Sequence, residues 1–224
     1  MYEVQRVVLV GATGMVGQQV MAAAVGREDI RLTAVARREV PLPPGARMEM
    51  LLSDTSHWPY AIAVGRPTTV VIALGTTIKA VGGDKAAFRA VDQELVLMCA
   101  RAAKEAGARQ LIVVSSVGAA LSSRNFYLSV KGEVEDQLAK LRFDRLDILR
   151  PGLLRGRREG PLRMGERIAM VLSPVLDLLM LGGLARYRSA RASDLARVVV
   201  RLVGARPNGR FVHHHDEFRR LFRR

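Results

Sequence analysis

The chain has 224 residues, 49% of them hydrophobic, with one cysteine and a formal net charge of +14. That length fits one domain with a sizeable core, and one cysteine excludes a disulfide framework. The charge raises nucleic acid or an anionic membrane as partners, but 30 of the 35 basic residues are Arg, scattered between apolar residues without interleaved aromatics or a binding motif, which argues against nucleic acid.

No charged-then-apolar leader with a small-residue cleavage site opens the sequence, and a cytoplasmic protein is expected. Taken in order, VQRVVLV reads as a strand, a helix follows from about Met15, and RLTAVA and RMEMLLSD read as further strands. Next come TTVVIALG as a strand, AAFRAVDQELVLMCARAAKEAG as one long helix, RQLIVVSS as a strand, VKGEVEDQLAKL as a helix and RLDILRPG as a strand. This alternation predicts an α/β fold, a Rossmann-type doubly wound parallel sheet with helices on both faces. Uninterrupted apolar runs such as VVIAL suit strands covered on both sides. Cys99 lies in the long helical pattern and reads as a small buried hydrophobe.

Residues 1–224 are expected to form one domain, with 152–192 as a lid on the substrate side. The apolar stretch Ile168 to Leu184 is broken by Pro174, Asp177 and the Gly182-Gly183 pair, so it reads as two short helices over a pocket rather than a membrane span. Flanking Arg163, Arg167, Arg186 and Arg188 allow at most a peripheral membrane contact. A last helix is predicted over about Ser193 to Val203, with Ser193 and Asp194 at its cap. The adjacent His213, His214 and His215 do not converge on one metal, so no metal site is expected and they read as exposed or partly packed.

LVGATGMVGQQV, residues 9–20, is the first stretch that carries chemistry. Gly11 permits a tight turn, Gly14 lets a pyrophosphate reach backbone N–H groups, and Gly17 lets helix and strand pack closely. Ala12, Thr13, Met15 and Val16 complete the turn, which opens a βαβ unit and aims a helix N-terminus at the phosphates. The spacing is G-x-x-G-x-x-G rather than G-x-G-x-x-G. At the end of the second strand an acid would bond a ribose 2′-hydroxyl, whereas arginine accommodates a 2′-phosphate. The chain reads AVARRE there, so Arg37 and Arg38 predict NADP, as NADPH, over NAD. Asp54 would bond the adenine amino group, with Leu74, Gly75 and Thr76 along the adenosine side.

Tyr127 and Lys131 lie four apart near the start of a helix and therefore share a face. An ammonium beside the phenol favours its ionised form, which suits a proton donor to a carbonyl receiving hydride. Ser115 and Ser116 close the preceding strand, where open α/β sheets place ligands. Ser116 is the candidate to orient the carbonyl and Ser115 a cofactor contact.

GATGMVG, the SS that closes a strand, YLSVK and LRPG, together with ALGTT, FRAVDQE and KGEVEDQL, resemble the short-chain dehydrogenase/reductases, and within them the atypical branch that includes the Tat-interacting-protein-like members. The resemblance spans roughly residues 5–204. It implies that Gly11, Gly14, Gly17, Arg37 and Arg38 hold NADP, that Ser116 or Ser115 with Tyr127 and Lys131 form the catalytic set, and that Pro151, Gly152 and Leu153 touch the nicotinamide end. The asparagine that typical members carry between the fourth strand and its helix is missing from ALGTTIKAVGG. Two functions follow: an NADP-dependent oxidoreductase of a small carbonyl or hydroxyl substrate, and a dinucleotide-binding regulator or sensor with little turnover. IAMVLSPVLDLLML hints at a hydrophobic substrate, and a homodimer or a regulatory protein is the partner to test.

Overall fold

The computed structural model describes residues 4–155 and 189–223. Seven parallel strands form one sheet: β1 (Gln5–Val10), β2 (Ile30–Ala36), β3 (Glu49–Leu52), β4 (Thr69–Ile72), β5 (Gln110–Val114), β6 (Arg145–Leu149) and β9 (Gly209–His213). Their order is β3-β2-β1-β4-β5-β6-β9, and every pairing is parallel. A two-residue ladder, β7 (Leu154–Arg155) with β8 (Ala190–Arg191), lies apart from it. The Rossmann-type architecture read from the alternation of elements is the one observed.

β4 and β6 are buried along their whole length, as strands covered on both faces must be. One apolar layer is closed by α1 (Met15–Ala24) and α6 (Ala192–Leu202). The other is closed by α2 (Trp58–Val64), α4 (Val96–Glu105) and α5 (Phe126–Lys140). Cys99 sits at the centre of this second layer, and burial pushes its thiol up to about 12. The strand order switches sides between β1 and β4, the topological switch point beyond whose strand C-terminal ends open α/β sheets bind ligands.

Several elements differ from the expectation. The stretch read as one long helix is α3 (Lys85–Arg89), a π turn (Ala90–Leu95) and α4 in succession, and Asp92 is fully buried inside the π turn. The last predicted helix starts at Ala192 after an Arg191 cap that makes no side-chain bond. β8 runs straight into that helix, so Ser193 falls inside it, and Asp194 lies in the first turn, where a negative charge favours the helix dipole. Beyond it come β9 and α7 (His215–Arg223). Residues 156–188, most of the expected lid, lie outside the described residues.

His213 is buried rather than exposed, because Asp147 claims it. Asp147, fully buried on β6, accepts hydrogen bonds from Arg145 Nε (2.7 Å) and Nη2 (2.8 Å) and from Gln110 Nε2 (2.8 Å), with His213 Nε2 at 2.8 Å. Gln110 also donates to the Leu202 carbonyl and accepts from Thr69 and Gly204. The network ties β5, β6, β9 and the end of α6 together. Burial pushes the Asp147 carboxyl up, but the hydrogen bonds from His213, Arg145 and Gln110 outweigh it, so the net shift is downward. A carboxylate whose folded pKa is depressed contributes stability above its unfolded pKa, about 3.9, and loses it as pH falls through the folded value. Asp147→Asn strands a buried guanidinium, so denaturant unfolding at neutral pH should show a loss of about 3–5 kcal/mol. Below about pH 3.9 the gap between the two proteins should close as wild-type Asp147 takes up its proton.

Candidate functional site

Gly11 adopts φ +91°, and a Cβ there would lie 2.7 Å from the Ala73 carbonyl oxygen after β4. A Cβ on Gly17 would lie 2.2 Å from the Gly11 carbonyl oxygen and 2.7 Å from the Ala12 Cα, closer than any side chain tolerates. Gly14 differs from both: its nearest obstacle is the Gly11 oxygen at 3.3 Å. Gly14 caps α1, yet no side chain bonds the helix end and no acid stands in the first turn. Among the described residues, most amides of that first turn have no partner, and the helix puts a partial positive charge behind them. Ala12 and Val16 are buried under the turn, while Thr13 and Met15 are half-buried.

Arg37 and Arg38 follow the buried Ala36 at the tip of β2, both exposed and without a hydrogen bond or ion pair to any described residue. The Ser53 amide bonds the Ala36 carbonyl, which brings the end of β3, followed by the exposed Asp54, to the tip of β2. Leu74 packs on the core edge after β4. Gly75 and Thr76 meet Asp92, whose Oδ2 accepts the Thr76 amide at 2.7 Å.

α5 begins at an Asn125 cap, whose side chain accepts the Leu128 amide, and presents Tyr127, Lys131 and Glu135 one turn apart. Tyr127 is half-buried, with its ring 5.6 Å from that of the buried Phe88 and 6.0 Å from Lys131 Nζ. Lys131 is 5% exposed, and its ammonium sits 2.7 Å from Asp92 Oδ1, an ion pair rather than an aligned hydrogen bond.

The two serines have different surroundings. Ser115 is buried and donates to Glu135 Oε1 at 2.5 Å, while Arg150 grips the same carboxylate through Nε (3.0 Å) and Nη2 (2.5 Å). Ser116 is half-buried, and its hydroxyl makes a single long bond, 3.3 Å, to the Val117 carbonyl. The Val117 amide bonds the Pro151 carbonyl, so the buried Pro151, half-buried Gly152 and exposed Leu153 border the same loop. That loop lies on α5 so closely that a Cβ on Gly132 would come within 2.3 Å of the Ala120 carbonyl carbon.

The structure thus gathers the glycine turn, the β4–α3 loop, the loop after β5 and the first two turns of α5 at the C-terminal edge of the sheet. Asp92, Gly132, Glu135 and Arg150 are participants that the sequence reading passed over. Asp92 alone left a trace: it lies on the stripe Phe88, Asp92, Val96 and Cys99, where the helical period puts a carboxylate among buried apolar residues.

Residues 11–169 match the NAD(P)H-binding family. The chain is 34% identical to the mitochondrial FMP52 protein of Candida albicans over 197 residues, covering 86% of this chain and 85% of that one. It is 37% identical to the Aspergillus clavatus fmp52 protein, also named mitochondrial, over 160 residues and 68% of each. In fold it is similar to the Thermus thermophilus UDP-glucose 4-epimerase complexed with NAD, with a TM-score of 0.68, 17% identity, and 95% of this chain and 80% of that one covered. The mitochondrial names overturn the cytoplasmic expectation. That expectation rested on the lack of a secretory leader, which bears on one export route and leaves other addresses open. Family match and fold agree that this is a dinucleotide-binding protein: the chain belongs to the NAD(P)H-binding family and has a Rossmann-type fold.

Proposed function

We propose that the protein is an NADP-dependent oxidoreductase acting on a small, apolar carbonyl or hydroxyl substrate. The observation that carries this reading is the placement of Tyr127 and Lys131 on one face of α5, against the loop that holds Ser116. The residues fit the cofactor. Gly14 leaves the approach to the α1 amides open, and Arg37 and Arg38, bonded to no described residue, follow the strand tip where a 2′-phosphate would lie. Asp54, Leu74, Gly75 and Thr76 would border the adenosine, and Pro151, Gly152 and Leu153 the nicotinamide end.

When bound, the reduced nicotinamide supplies a hydride to the carbonyl carbon. Tyr127 gives its phenolic proton to the carbonyl oxygen, Lys131 stabilises the phenolate left behind, and the Ser116 hydroxyl, lightly engaged by Val117, orients the carbonyl. Ser115 supports this corner through Glu135 rather than through the reacting atoms.

The first test is thermal unfolding with NADPH and with NADH. At a hundred times its dissociation constant a ligand adds about 2.7 kcal/mol, which for a chain of this size is a rise of about 5–10 °C. NADPH should give that rise at a lower concentration than NADH. NADPH consumption with a panel of apolar aldehydes and ketones then tests turnover; firm binding with no consumption would favour the regulator over the oxidoreductase. Replacing Arg37 and Arg38 by serine should erase the preference for the phosphorylated dinucleotide, since an Arg–phosphate bond is worth about 1.5–3 kcal/mol. An unchanged preference in the double variant would refute the assignment to NADP.

A further inference from the structure

We propose that Asp92 is a positioning residue that sets the acidity of Tyr127 through Lys131. The inference rests on the reading in which Tyr127 is the proton donor, and goes beyond it by adding a third charged member to the pair.

Asp92 is fully buried in the π turn between α3 and α4. A carboxylate is held in such a place only where other groups replace its lost hydration. Two do so here: the Lys131 ammonium, 2.7 Å from Oδ1, and the Thr76 amide, 2.7 Å from Oδ2. Asp92 therefore joins the β4–α3 loop to α5 and fixes the Lys131 head from the side away from solvent. π turns recur at functional sites because the extra residue re-aims side chains out of the regular helical stripe.

The pairing changes what Tyr127 experiences. A lone ammonium near a phenol favours phenolate strongly, whereas the Asp92 carboxylate paired with it offsets part of that field and leaves the rest to hold the phenolate formed on proton transfer. Lys131 Nζ lies 6.0 Å from the Tyr127 centroid, near enough for a change in the charge balance of the pair to reach the phenol. Several other charges of α3 and α5 have partners of their own, and the exposed Arg124 precedes the Asn125 cap. From α3, Lys85 and Arg89 lie over the Phe126 ring, and Arg89 also holds Glu133 of α5. Glu135 is closed by Ser115 and Arg150, and the α3 group against Tyr127 itself is the uncharged Phe88 ring.

The test is the ionisation of Tyr127, followed by the ultraviolet absorbance of tyrosinate and isolated by subtracting the Tyr127→Phe titration. Asp92→Asn keeps an acceptor for the Thr76 amide and removes the charge, so the Tyr127 midpoint should fall by about one pH unit or more. Lys131→Met leaves the carboxylate uncompensated, so the midpoint should rise. The double variant should return close to wild type. A merely architectural Asp92 would lower thermal stability in the variants without opposite displacements, and midpoints within a few tenths of wild type in both single variants would overturn the proposal. Should Asp92→Asn not fold, Lys131→Met against the double variant decides: the midpoint should fall when the carboxylate is also removed from the lysine-free protein, and equal midpoints would overturn the proposal. None of these readouts needs turnover or bound dinucleotide. Failure of the oxidoreductase reading would show instead as no NADPH consumption, and is told apart from failure here.

Discussion

Gly17→Ala should cost about 3 kcal/mol or more and abolish dinucleotide-induced stabilisation. The added Cβ would meet the Gly11 carbonyl oxygen at 2.2 Å and the Ala12 Cα at 2.7 Å, both backbone atoms that no rotamer change can move. Relief requires α1 to lift from β1 or the turn itself to shift. Overpacking of this kind typically costs about 1–3 kcal/mol and more where backbone must move, and with about 2–4 °C of melting temperature per kcal/mol the loss is easily measured. Gly14→Ala separates packing from approach. Its Cβ meets the Gly11 oxygen at 3.3 Å, which a backbone shift of a few tenths of an ångström relieves, so the fold should survive with a smaller loss than in Gly17→Ala while NADPH binding weakens. If Gly14→Ala bound NADPH as wild type does, the dinucleotide would not lie over this turn.

Tyr127→Phe should lower carbonyl-dependent NADPH oxidation by about 10²–10⁴, the usual contribution of a positioned general acid. The lost atom is one hydroxyl on a half-buried side chain whose ring packs on Phe88, so the packing is retained. Melting temperature and NADPH affinity should therefore stay near wild type while turnover collapses. Equal losses in affinity and rate would place Tyr127 in binding instead. Ser116→Ala should act in the same direction but more weakly, and Ser115→Ala should destabilise the fold, because it takes a donor from a buried carboxylate that then leans on Arg150 alone.

The legible parts of this chain are those where composition and period agree. VVLV, TVVI and QLIVV read as covered strands, and the glycine turn announces the start of α1 because a strand precedes it and a helix follows. β9 did not announce itself: GRFVH mixes polar and apolar residues, and its place beside β6 is decided by Asp147, more than sixty residues earlier. α2 has seven residues, too few for a helical period to show. The π turn is invisible to a period search, since one added residue changes the phase without changing the composition. Ser115 and Ser116 are indistinguishable as neighbours in sequence; Glu135, twenty positions on, tells them apart. The asparagine of typical short-chain dehydrogenase/reductases is missing from ALGTTIKAVGG, whereas the carboxylate that meets Lys131 comes from the π turn beyond that loop.

β9 also guards the molecule against its own copies. Without residues 209–213, β6 would offer a row of open amides and carbonyls flanked by Leu146, Ile148 and Leu149, the apolar margin that seeds strand-to-strand association. Chains shortened before Gly209 are therefore expected to precipitate rather than merely soften, and a tag joined after the last residue tolerates folding better than one inserted ahead of that closing strand.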